Sequence, residues 1–357
     1  MDPYLPKTLC VLRLSALGDC ISAFGMMGGI KKAYPKVKIT WIIDERFAPL
    51  FINRDREDLI PLVTVNYKKY GFKAFSRLRK ELKGREFDCL LNIQTSLKAS
   101  MTSLAVNANV KYGYDSSRSR EGQRFFTDLR VPSPDDPHVL AGFMAFAHEA
   151  GFTKAEPYWD FDLQDNEREE ALSRFDKDSI FLISPCSSKA AKNWTVEGYT
   201  AIARHALEQG FAVGLVGGDN ATERAACTAI EKALDGQCVN LCGQTTLRQL
   251  LAVVSVASLV LCPDSGTLHL ANALNVPVIG LFAIHSEKRV GPTRFMDLCV
   301  SIHEQLAREE LGDREIPWRY RVKKENAMQL ITPDMVLPVF NRAVAEYVLP
   351  RLHKDEI

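Results

Sequence analysis

The sequence predicts an α/β protein in which two doubly wound parallel sheets, each Rossmann-like, form two domains. Short apolar runs rich in β-branched residues alternate with stretches of helical periodicity along most of the chain. The chain has 357 residues, enough for two domains, and 46% of them are apolar, enough for two sizeable cores. A polar, acidic stretch at 153–178 separates the two regions and is predicted to be the linker.

The N-terminal half begins with a strand–helix–strand unit. TLCVLRLS (8–15) and KITWIID (38–44) are predicted strands, and CISAFGMMGGIKKAY between them has helical spacing and stops at Pro35. A helix between two apolar strands is typical of a parallel sheet. Farther along, DCLLNI (88–93) is predicted to be a buried strand and SLKASMTSLAV (96–106) a helix.

The C-terminal half alternates more regularly between strands and helices. Its predicted strands are SIFLISP, FAVGLVGG, CVNLCG, LVLCPD and PVIGLFA, and its predicted helices lie at about 195–209, 221–234, 246–258 and 265–275. The stretch 333–352 has the periodicity of an amphipathic helix.

These elements predict the domain organisation. The expected domains are residues 1–160 and 161–332, with a cleft between them, and a C-terminal helix in 333–357 is expected to pack back on the N-terminal domain. Ligands of open α/β sheets bind beyond the carboxyl ends of the strands, so chemistry is expected in the loops that follow strands.

Composition and charge exclude several classes of protein. The 45 Lys and Arg residues against 44 Asp and Glu give a net charge of +1, so no overall field attracts nucleic acid. The first residues lack the pattern of a signal peptide, and no apolar run approaches about 18 residues, so a cytoplasmic location is expected. Most of the nine cysteines lie in apolar runs, and the closest pair, Cys238 and Cys242, has no second pair beside it. Reduced thiols and no metal site are therefore expected.

The clearest candidate site follows the predicted strand LVLCPD. Asp264, Ser265 and Gly266 open a predicted helix that carries His269. Backbone N–H groups at a helix N-terminus attract a phosphate, and Gly266 permits its close approach. His269 is near enough in sequence to face the same anion. The alternative is that Asp264 or Ser265 only caps the helix, and the spacing alone does not decide between these interpretations.

Two further loops after strands carry candidate ligand-binding residues. The loop SPCSSKAAKNW has two serines and two lysines that can bind a diphosphate or can be ordinary solvated side chains. These residues are Ser187, Ser188, Lys189 and Lys192. The loop LVGGDNATER has a glycine pair that permits a tight turn, followed by Glu223. This carboxylate can accept hydrogen bonds from a ribose or can stabilise the first turn of a helix.

The N-terminal half offers a possible base and two basic stretches. The loop RLSALGD ends at Asp19, whose carboxylate suits a general base acting on a neutral hydroxyl, or alternatively caps the next helix. The stretch 67–85 holds eight Lys or Arg against one Glu, and 115–124 is also basic. Both are either solvated surface or a site for an acidic acceptor or acidic lipid head groups. No nucleic-acid-binding module accompanies them.

Several common motifs are absent from the sequence. No G-x-G-x-x-G follows the first strand, because the glycines of GMMGGI lie inside the predicted helix. G-x-x-x-x-G-K-[ST], H-E-x-x-H and G-x-S-x-G are also missing. These absences disfavour an NAD-dependent oxidoreductase, a P-loop nucleotidase and an α/β-hydrolase.

Three segments together resemble a known family. LRLSALGD, SSKAAKNW and PDSGTLHLANALNVPVIGLF occur in the order and at the spacing of the ADP-heptose:lipopolysaccharide heptosyltransferases, glycosyltransferase family 9. The similarity extends over nearly the whole chain and is greatest to the heptosyltransferase I branch, which glycosylates a phosphorylated Kdo. It implies a GT-B type fold with two facing Rossmann-like domains. It also implies an inverting, metal-independent transfer of heptose from ADP-heptose, which is a substrate, so that no cofactor is expected.

The resemblance implies a role for each candidate residue. Asp19 would take the proton from the acceptor hydroxyl, and Lys192 would stabilise the departing diphosphate. The donor-binding residues would be Ser187, Ser188, Lys189, Glu223, Asp264, Ser265, Gly266 and His269. The acceptor-binding residues would be Gly18, Arg118, Arg120 and Gln123. Ser265 stands where the family commonly has threonine, a change that keeps the hydroxyl.

The implied partners are an ADP-sugar donor and a Kdo–lipid A acceptor at the inner leaflet, with no nucleic acid. A cytoplasmic enzyme attached peripherally to the inner membrane is therefore expected. Two other functions stay open at this point. One is a GT-B-like nucleotide-sugar epimerase, which needs a donor but no acceptor. The other is a non-catalytic module that binds a nucleotide sugar.

Overall fold

The computed structural model describes residues 5–52 and 60–352. The chain divides into two compact units, Met1–Asp162 and Leu163–Ile357, and the boundary falls within the stretch predicted as a linker. Each unit contains one six-stranded sheet.

The sheet of the first unit is parallel and has the strand order β3-β2-β1-β4-β5-β6. Its strands are β1 (Thr8–Leu12), β2 (Lys38–Asp44), β3 (Leu62–Val65), β4 (Phe87–Asn92), β5 (Ala108–Tyr114) and β6 (Leu129–Val131). The helices of this unit are α1 (Leu17–Ala33), α2 (Ala48–Phe51), α3 (Tyr67–Tyr70), α4 (Lys73–Glu81), α5 (Leu97–Ser103) and α6 (Val139–Glu149).

The sheet of the second unit is also parallel and has the order β12-β11-β10-β7-β8-β9. Read from β9 to β12, with β7 counted as the first strand of its unit, this order is third-second-first-fourth-fifth-sixth. It is the same doubly wound order as in the first sheet. Its strands are β7 (Ile180–Ile183), β8 (Ala212–Leu215), β9 (Val239–Asn240), β10 (Leu259–Pro263), β11 (Val278–Phe282) and β12 (Cys299–Ser301). Its helices are α7 (Asp165–Leu172), α8 (Val196–Glu208), α9 (Ala221–Ala233), α10 (Leu247–Ser255), α11 (Gly266–Ala273), α12 (Glu287–Val290), α13 (His303–Leu311), α14 (Pro333–Ala343) and α15 (Leu349–Leu352).

The central strands are apolar along their whole length because helices cover both faces of each sheet. Every residue of β7, β8, β10 and β11 is buried. This is the pattern of a parallel sheet, and it confirms the predicted α/β fold class. All nine cysteines lie in the described part of the chain and are free thiols, seven of them buried.

Part of the predicted linker is ordered against the first unit. Trp159 donates from Nε1 to the Ile21 carbonyl at 2.8 Å, and the Tyr158 amide donates to the Gly25 carbonyl at 2.9 Å. This approach to α1 is possible because the helix presents glycines there, and a Cβ added at Gly29 would overlap the Glu156 carbonyl oxygen. The glycines of GMMGGI therefore serve close packing of α1.

The C-terminal helical segment packs on its own unit. The Phe340 ring of α14 lies 5.2 Å from the Phe181 ring of β7 and 5.9 Å from the Phe211 ring. Residues 353–357 lie outside the described residues, and the expected packing of 333–357 on the N-terminal domain stays a prediction. Among the helices that are described, none has the length and apolar character needed to cross a membrane.

The close contact at Gly29 gives a stability prediction. Gly29→Ala should lower the free energy of unfolding by about 1–3 kcal/mol, because the added methyl group must displace the backbone at Glu156. Denaturant unfolding followed by tryptophan fluorescence measures this change. Ala33→Ser, at the exposed end of the same helix, is the matched control and should shift the value by less than about 0.5 kcal/mol. Equal effects of the two substitutions would contradict the packing argument.

Candidate active site

The second sheet has its topological switch point between β7 and β10, which are neighbours with connections leaving in opposite directions. Ligands of open α/β sheets bind beyond the carboxyl ends of such strands. The loop after β7 carries Lys192, and the loop after β10 carries Asp264. Both sequence-predicted loops therefore meet at the position that the topology favours for a ligand.

A buried ion pair joins these two loops. The Lys192 ammonium donates to the Asp264 backbone carbonyl at 2.5 Å and to its Oδ2 at 3.0 Å. The hydroxyls of Ser184 and Thr267 lie 3.0 Å apart and form a second link between the same segments. Trp194 fixes the chain just after Lys192 by donating from Nε1 to the Ile331 carbonyl at 2.8 Å. The ammonium is thus held in place by both charge and backbone.

Two histidines complete the surroundings of the Asp264 carboxylate. His285 Nδ1 lies 2.7 Å from Oδ2, and His269 Nε2 lies 3.9 Å from Oδ1. An ionised carboxylate can only accept hydrogen bonds, so His285 Nδ1 carries the proton in this contact. Burial by itself would raise the pKa of Asp264, but the His285 hydrogen bond and the nearby Lys192 and His269 hold that pKa well below its usual value. The carboxylate is therefore ionised at neutral pH.

His285 belongs to this group as well, although no sequence motif indicated it. Burial lowers the pKa of His285, against the opposing effect of the Asp264 hydrogen bond, so the neutral imidazole is favoured. Its position in the sequence could have indicated a place in this group. His285 follows the buried strand β11, in the segment HSEKRVGP, and therefore lies at the same sheet edge as Asp264.

The start of α11 lies beside this group. Ser265 is the N-cap residue, but its hydroxyl makes no capping hydrogen bond, and Gly266 is the first helical residue. Since Asp264 binds Lys192 and His285 instead, the interpretation of Asp264 or Ser265 as a simple side-chain cap does not describe this helix. The structure thus places Asp264, His269 and Lys192 in one group with the helix N-terminus.

The other predicted donor-binding residues lie in the adjoining loops. The Ser187 amide donates to Asn193 Oδ1 at 2.8 Å, whereas Ser188 and Lys189 are exposed. Incomplete solvation of the ammonium and the charges of nearby Arg321 and Lys192 lower the pKa of Lys189. Direct contacts of these side chains with a donor stay predictions.

Glu223 lies in the first turn of α9, which agrees with the second of its two interpretations, a carboxylate that stabilises the start of a helix. Its carboxylate accepts from the Gly218 amide at 2.5 Å and from Asn220 Nδ2 at 2.7 Å. These hydrogen bonds close the glycine turn after β8. A contact between Glu223 and a ribose stays a prediction.

In the first unit, Asp19 is the third residue of α1, and Ala16 occupies the N-cap position. Asp19 is therefore not the helix cap; its carboxylate forms an ion pair with Arg13. Arg13 also donates from Nη1 to the Ile93 carbonyl at 2.7 Å, and Gln94 Oε1 accepts from the Leu14 amide at 2.7 Å. These bonds tie together the loops after β1 and β4, the switch point of the first sheet.

Arg118 and Gln123, two of the predicted acceptor residues, are buried and hold neighbouring loops. Gln123 donates from Nε2 to the Asn92 carbonyl at 2.8 Å, and its Oε1 accepts from the Tyr114 amide at 3.2 Å. Arg118 Nη2 lies 3.5 Å from the Asp136 carbonyl.

The other two predicted acceptor residues differ in exposure. Gly18 is buried in the first turn of α1, whereas Arg120 is exposed. Contacts of all four residues with an acceptor stay predictions. Within 5–52 and 60–352, no group of three or more His, Cys, Asp or Glu is placed to hold a metal ion.

Comparison with solved structures identifies the class of fold. The architecture matches a glycosyltransferase family 9 protein from Veillonella parvula with a TM-score of 0.75 and 17% identity, over 95% of this chain and 97% of that one. It also matches the E. coli heptosyltransferase WaaC with ADP, with a TM-score of 0.72 and 16% identity, over 94% and 99% of the two chains. The fold is therefore of the GT-B type.

The family follows from the sequence comparisons. Residues 75–318, more than half of the chain, match glycosyltransferase family 9 (heptosyltransferase). The chain is 39% identical over 335 residues to the lipopolysaccharide core heptosyltransferase OpsX of Haemophilus influenzae, covering 93% of this chain and 95% of that one. It is 23% identical over 281 residues to lipopolysaccharide heptosyltransferase 1 of Pseudomonas aeruginosa, covering 76% and 77%. The chain belongs to glycosyltransferase family 9 and is a heptosyltransferase, which confirms the resemblance.

The buried ion pair predicts that two aspartates of the second unit contribute very differently to the free energy of unfolding. Asp264→Ala leaves the Lys192 ammonium buried without its counter-charge and should lower the free energy of unfolding by about 3–5 kcal/mol. Asp219→Ala, which removes an exposed pair with Arg224, is the matched control and should cost less than about 1 kcal/mol. Denaturant titration measures both values, and equal small losses would contradict the account.

The stability difference between the wild-type protein and Asp264→Ala is predicted to depend on pH. The pKa of Asp264 is lower in the folded than in the unfolded chain, so its stabilising contribution is complete above the unfolded value of about 3.9. The contribution is lost as the pH falls from there toward the folded pKa. The difference between the wild-type protein and Asp264→Ala should therefore shrink as the pH falls below about 4.

Proposed function

We propose that this heptosyltransferase moves heptose from ADP-heptose to Kdo of lipid A in lipopolysaccharide inner-core synthesis. The observation that carries the proposal is the buried Lys192–Asp264 group beside the N-terminus of α11. Solved structures of similar fold include an E. coli heptosyltransferase with ADP and one with ADP-2-deoxy-2-fluoro heptose. The name of the Haemophilus influenzae relative refers to the lipopolysaccharide core.

The donor diphosphate would bind at this group. An ammonium has three N–H donors, and two of those on Lys192 point to Asp264, which fixes the direction of the remaining one. Backbone N–H groups at the start of α11 supply further donors and partial positive charge. The Asp264 carboxylate would repel a phosphate if it were exposed, but the Lys192 ammonium compensates its charge, and Lys192 and His285 both donate hydrogen bonds to its Oδ2.

Asp19 would be the general base on the acceptor side. Its ion pair with Arg13 orients the carboxylate, and Arg13 is itself held by the Ile93 carbonyl. In one displacement, the acceptor oxygen forms a bond to the anomeric carbon while the bond to the diphosphate oxygen breaks. The hydroxyl proton passes to Asp19 and ADP leaves, so the anomeric configuration inverts.

Charge stabilisation of the leaving group would come from the protein. Lys192 and the N-terminus of α11 offer positive charge fixed before reaction, which is the arrangement that lowers the energy of a developing anion. We therefore propose transfer without a metal ion. We also propose that the enzyme acts in the cytoplasm at the inner leaflet, where a lipid-linked acceptor and the basic stretch 67–85 would meet.

Product analysis tests the proposed reaction. The enzyme is incubated with ADP-heptose and Kdo–lipid A, with and without a phosphate on Kdo, and the products are resolved by mass spectrometry. The expected result is one added heptose on the acceptor and stoichiometric ADP, with chelator present. Incubation with the donor alone distinguishes the epimerase, since an isomerised sugar without any acceptor product would contradict the proposal.

The base assignment predicts the effect of one substitution. Asp19→Ala should lower kcat by at least about 100-fold, because the acceptor hydroxyl loses its proton acceptor, and should leave the Kd of ADP-heptose within about 2-fold. Asp44→Ala, at the end of the adjacent strand β2 and paired with Arg46 at 2.9 Å, is the matched control and should retain activity. Unchanged turnover in Asp19→Ala would remove the base role.

A further inference from the structure

The exposed side of α5 carries a row of apolar side chains. Leu97 is 50% exposed, Met101 46% and Leu104, at the C-terminal end of the helix, 52%. Their spacing of four and three residues places them on one side of the helix, and Lys98 is exposed next to them. We call Leu97, Met101 and Leu104 the apolar stripe. Its opposite side, with Ala99 fully buried, packs on the core.

Two phenylalanines in neighbouring segments of the first unit are strongly exposed. Phe125 is 75% exposed, and its loop is tied to α5 because Glu121 Oε2 accepts from the Leu97 amide at 2.7 Å. Phe72, at the N-terminus of α4, is 96% exposed. A soluble surface seldom presents such a set of large apolar side chains without a binding role.

The helix beside the stripe is strongly basic. Helices α4 and α5 pack on the same face of the first sheet through one common core that includes Leu78 and Ala99, so their outer sides both turn away from that sheet. A groove of about 520 Å³ between α4 and the segment after α5 is lined by four cationic side chains. These are Arg79, Lys80, Lys83 and Arg85.

Apolar side chains beside many cations are complementary to a membrane with anionic lipids. Apolar groups gain free energy in the interfacial region, and each Lys or Arg near the surface adds about 1 kcal/mol. A second copy of the chain is a poorer occupant, because 67–85 carries eight positive charges against one negative and would repel its own image. The surface chemistry therefore favours lipid.

The stripe is also connected to the loop of the proposed base. Arg13, the partner of Asp19, binds the Ile93 carbonyl, and Gln94 donates to the hydroxyl of Ser96, the N-cap residue of α5. The first turn of α5 and the Asp19 loop thus belong to one hydrogen-bonded edge of the sheet. A lipid surface bound by α5 would hold its head groups near that edge.

We propose that the apolar stripe enters the interfacial region of an anionic membrane while the lysines and arginines of α4 contact lipid phosphates. This contact would deliver a lipid-anchored acceptor to the loop that carries Asp19, a role that rests on the proposed function. The membrane-binding surface itself is independent of the reaction. The ion pair of Asp19 is made with Arg13 and includes no stripe residue.

Vesicle binding tests the surface directly. Co-sedimentation with vesicles of phosphatidylethanolamine and 30% phosphatidylglycerol is compared for the wild-type chain and Leu97→Ser/Met101→Ser/Leu104→Ser. The triple variant should bind at least about 10-fold more weakly. Leu172→Ser/Leu330→Ser/Leu349→Ser, with similarly exposed leucines of the second unit, is the matched control and should bind like the wild type. Circular dichroism checks that both variants are folded.

Lipid and salt dependence provide a second measurement. Binding of the wild-type chain should be at least about 10-fold weaker to phosphatidylcholine vesicles than to the anionic vesicles. Binding to the anionic vesicles should also weaken by at least about 10-fold at 0.5 M salt. Wild-type-like binding by the triple variant would overturn the proposal. So would a wild-type dimer in light scattering that the triple variant converts to a monomer, since the stripe would then be a protein interface.

Activity assays separate this proposal from the proposed reaction. With a detergent-solubilised acceptor, the triple variant should keep kcat/KM within about 2-fold of the wild type, whereas on vesicle-borne acceptor it should lose at least about 10-fold. Loss of both activities in the folded variant would overturn the membrane role. Absence of transfer by the wild type on every acceptor, with intact vesicle binding, would refute the reaction alone.

Discussion

The ion pair between Lys192 and Asp264 is the interaction on which the site of the second unit depends. It joins the loops after β7 and β10, so it fixes the geometry of the switch point as well as the position of a cation. Its burial makes it costly to break, because either partner alone would be a buried charge. His285 completes the arrangement by binding the same carboxylate oxygen, Oδ2.

The two units use one sheet topology for different electrostatic purposes. At the switch point of the first sheet, Arg13 orients the Asp19 carboxylate, and the acidic group is the one that stays partly exposed. At the switch point of the second sheet, Asp264 is buried and orients a lysine beside a helix N-terminus. In each case the ion-pair partner positions the charged group that the proposed transfer needs.

Apolar runs and loop position were sufficient to predict the fold class and the place of Asp264 and Lys192, because buried parallel strands are continuous in sequence. Strands such as β5, which mixes exposed and buried residues, gave no such signal. The partnerships of Arg13, Gln94 and His285 also could not be predicted, since they join residues far apart in the chain. The family resemblance implied an acceptor contact for Gln123, but it gave no sign that the side-chain amide of Gln123 hydrogen-bonds to backbone groups, which the packed structure shows.

The central claim is that the ammonium held by Asp264 recognises a diphosphate. Titration calorimetry of ADP and AMP with the wild-type chain, Lys192→Ala and the exposed-lysine control Lys232→Ala tests it most directly. The account predicts that Lys192→Ala weakens ADP by at least about 10-fold, or 1.4 kcal/mol, and leaves AMP nearly unchanged, whereas Lys232→Ala changes neither. Equal weakening of ADP and AMP, or unaltered ADP affinity in Lys192→Ala, would contradict it.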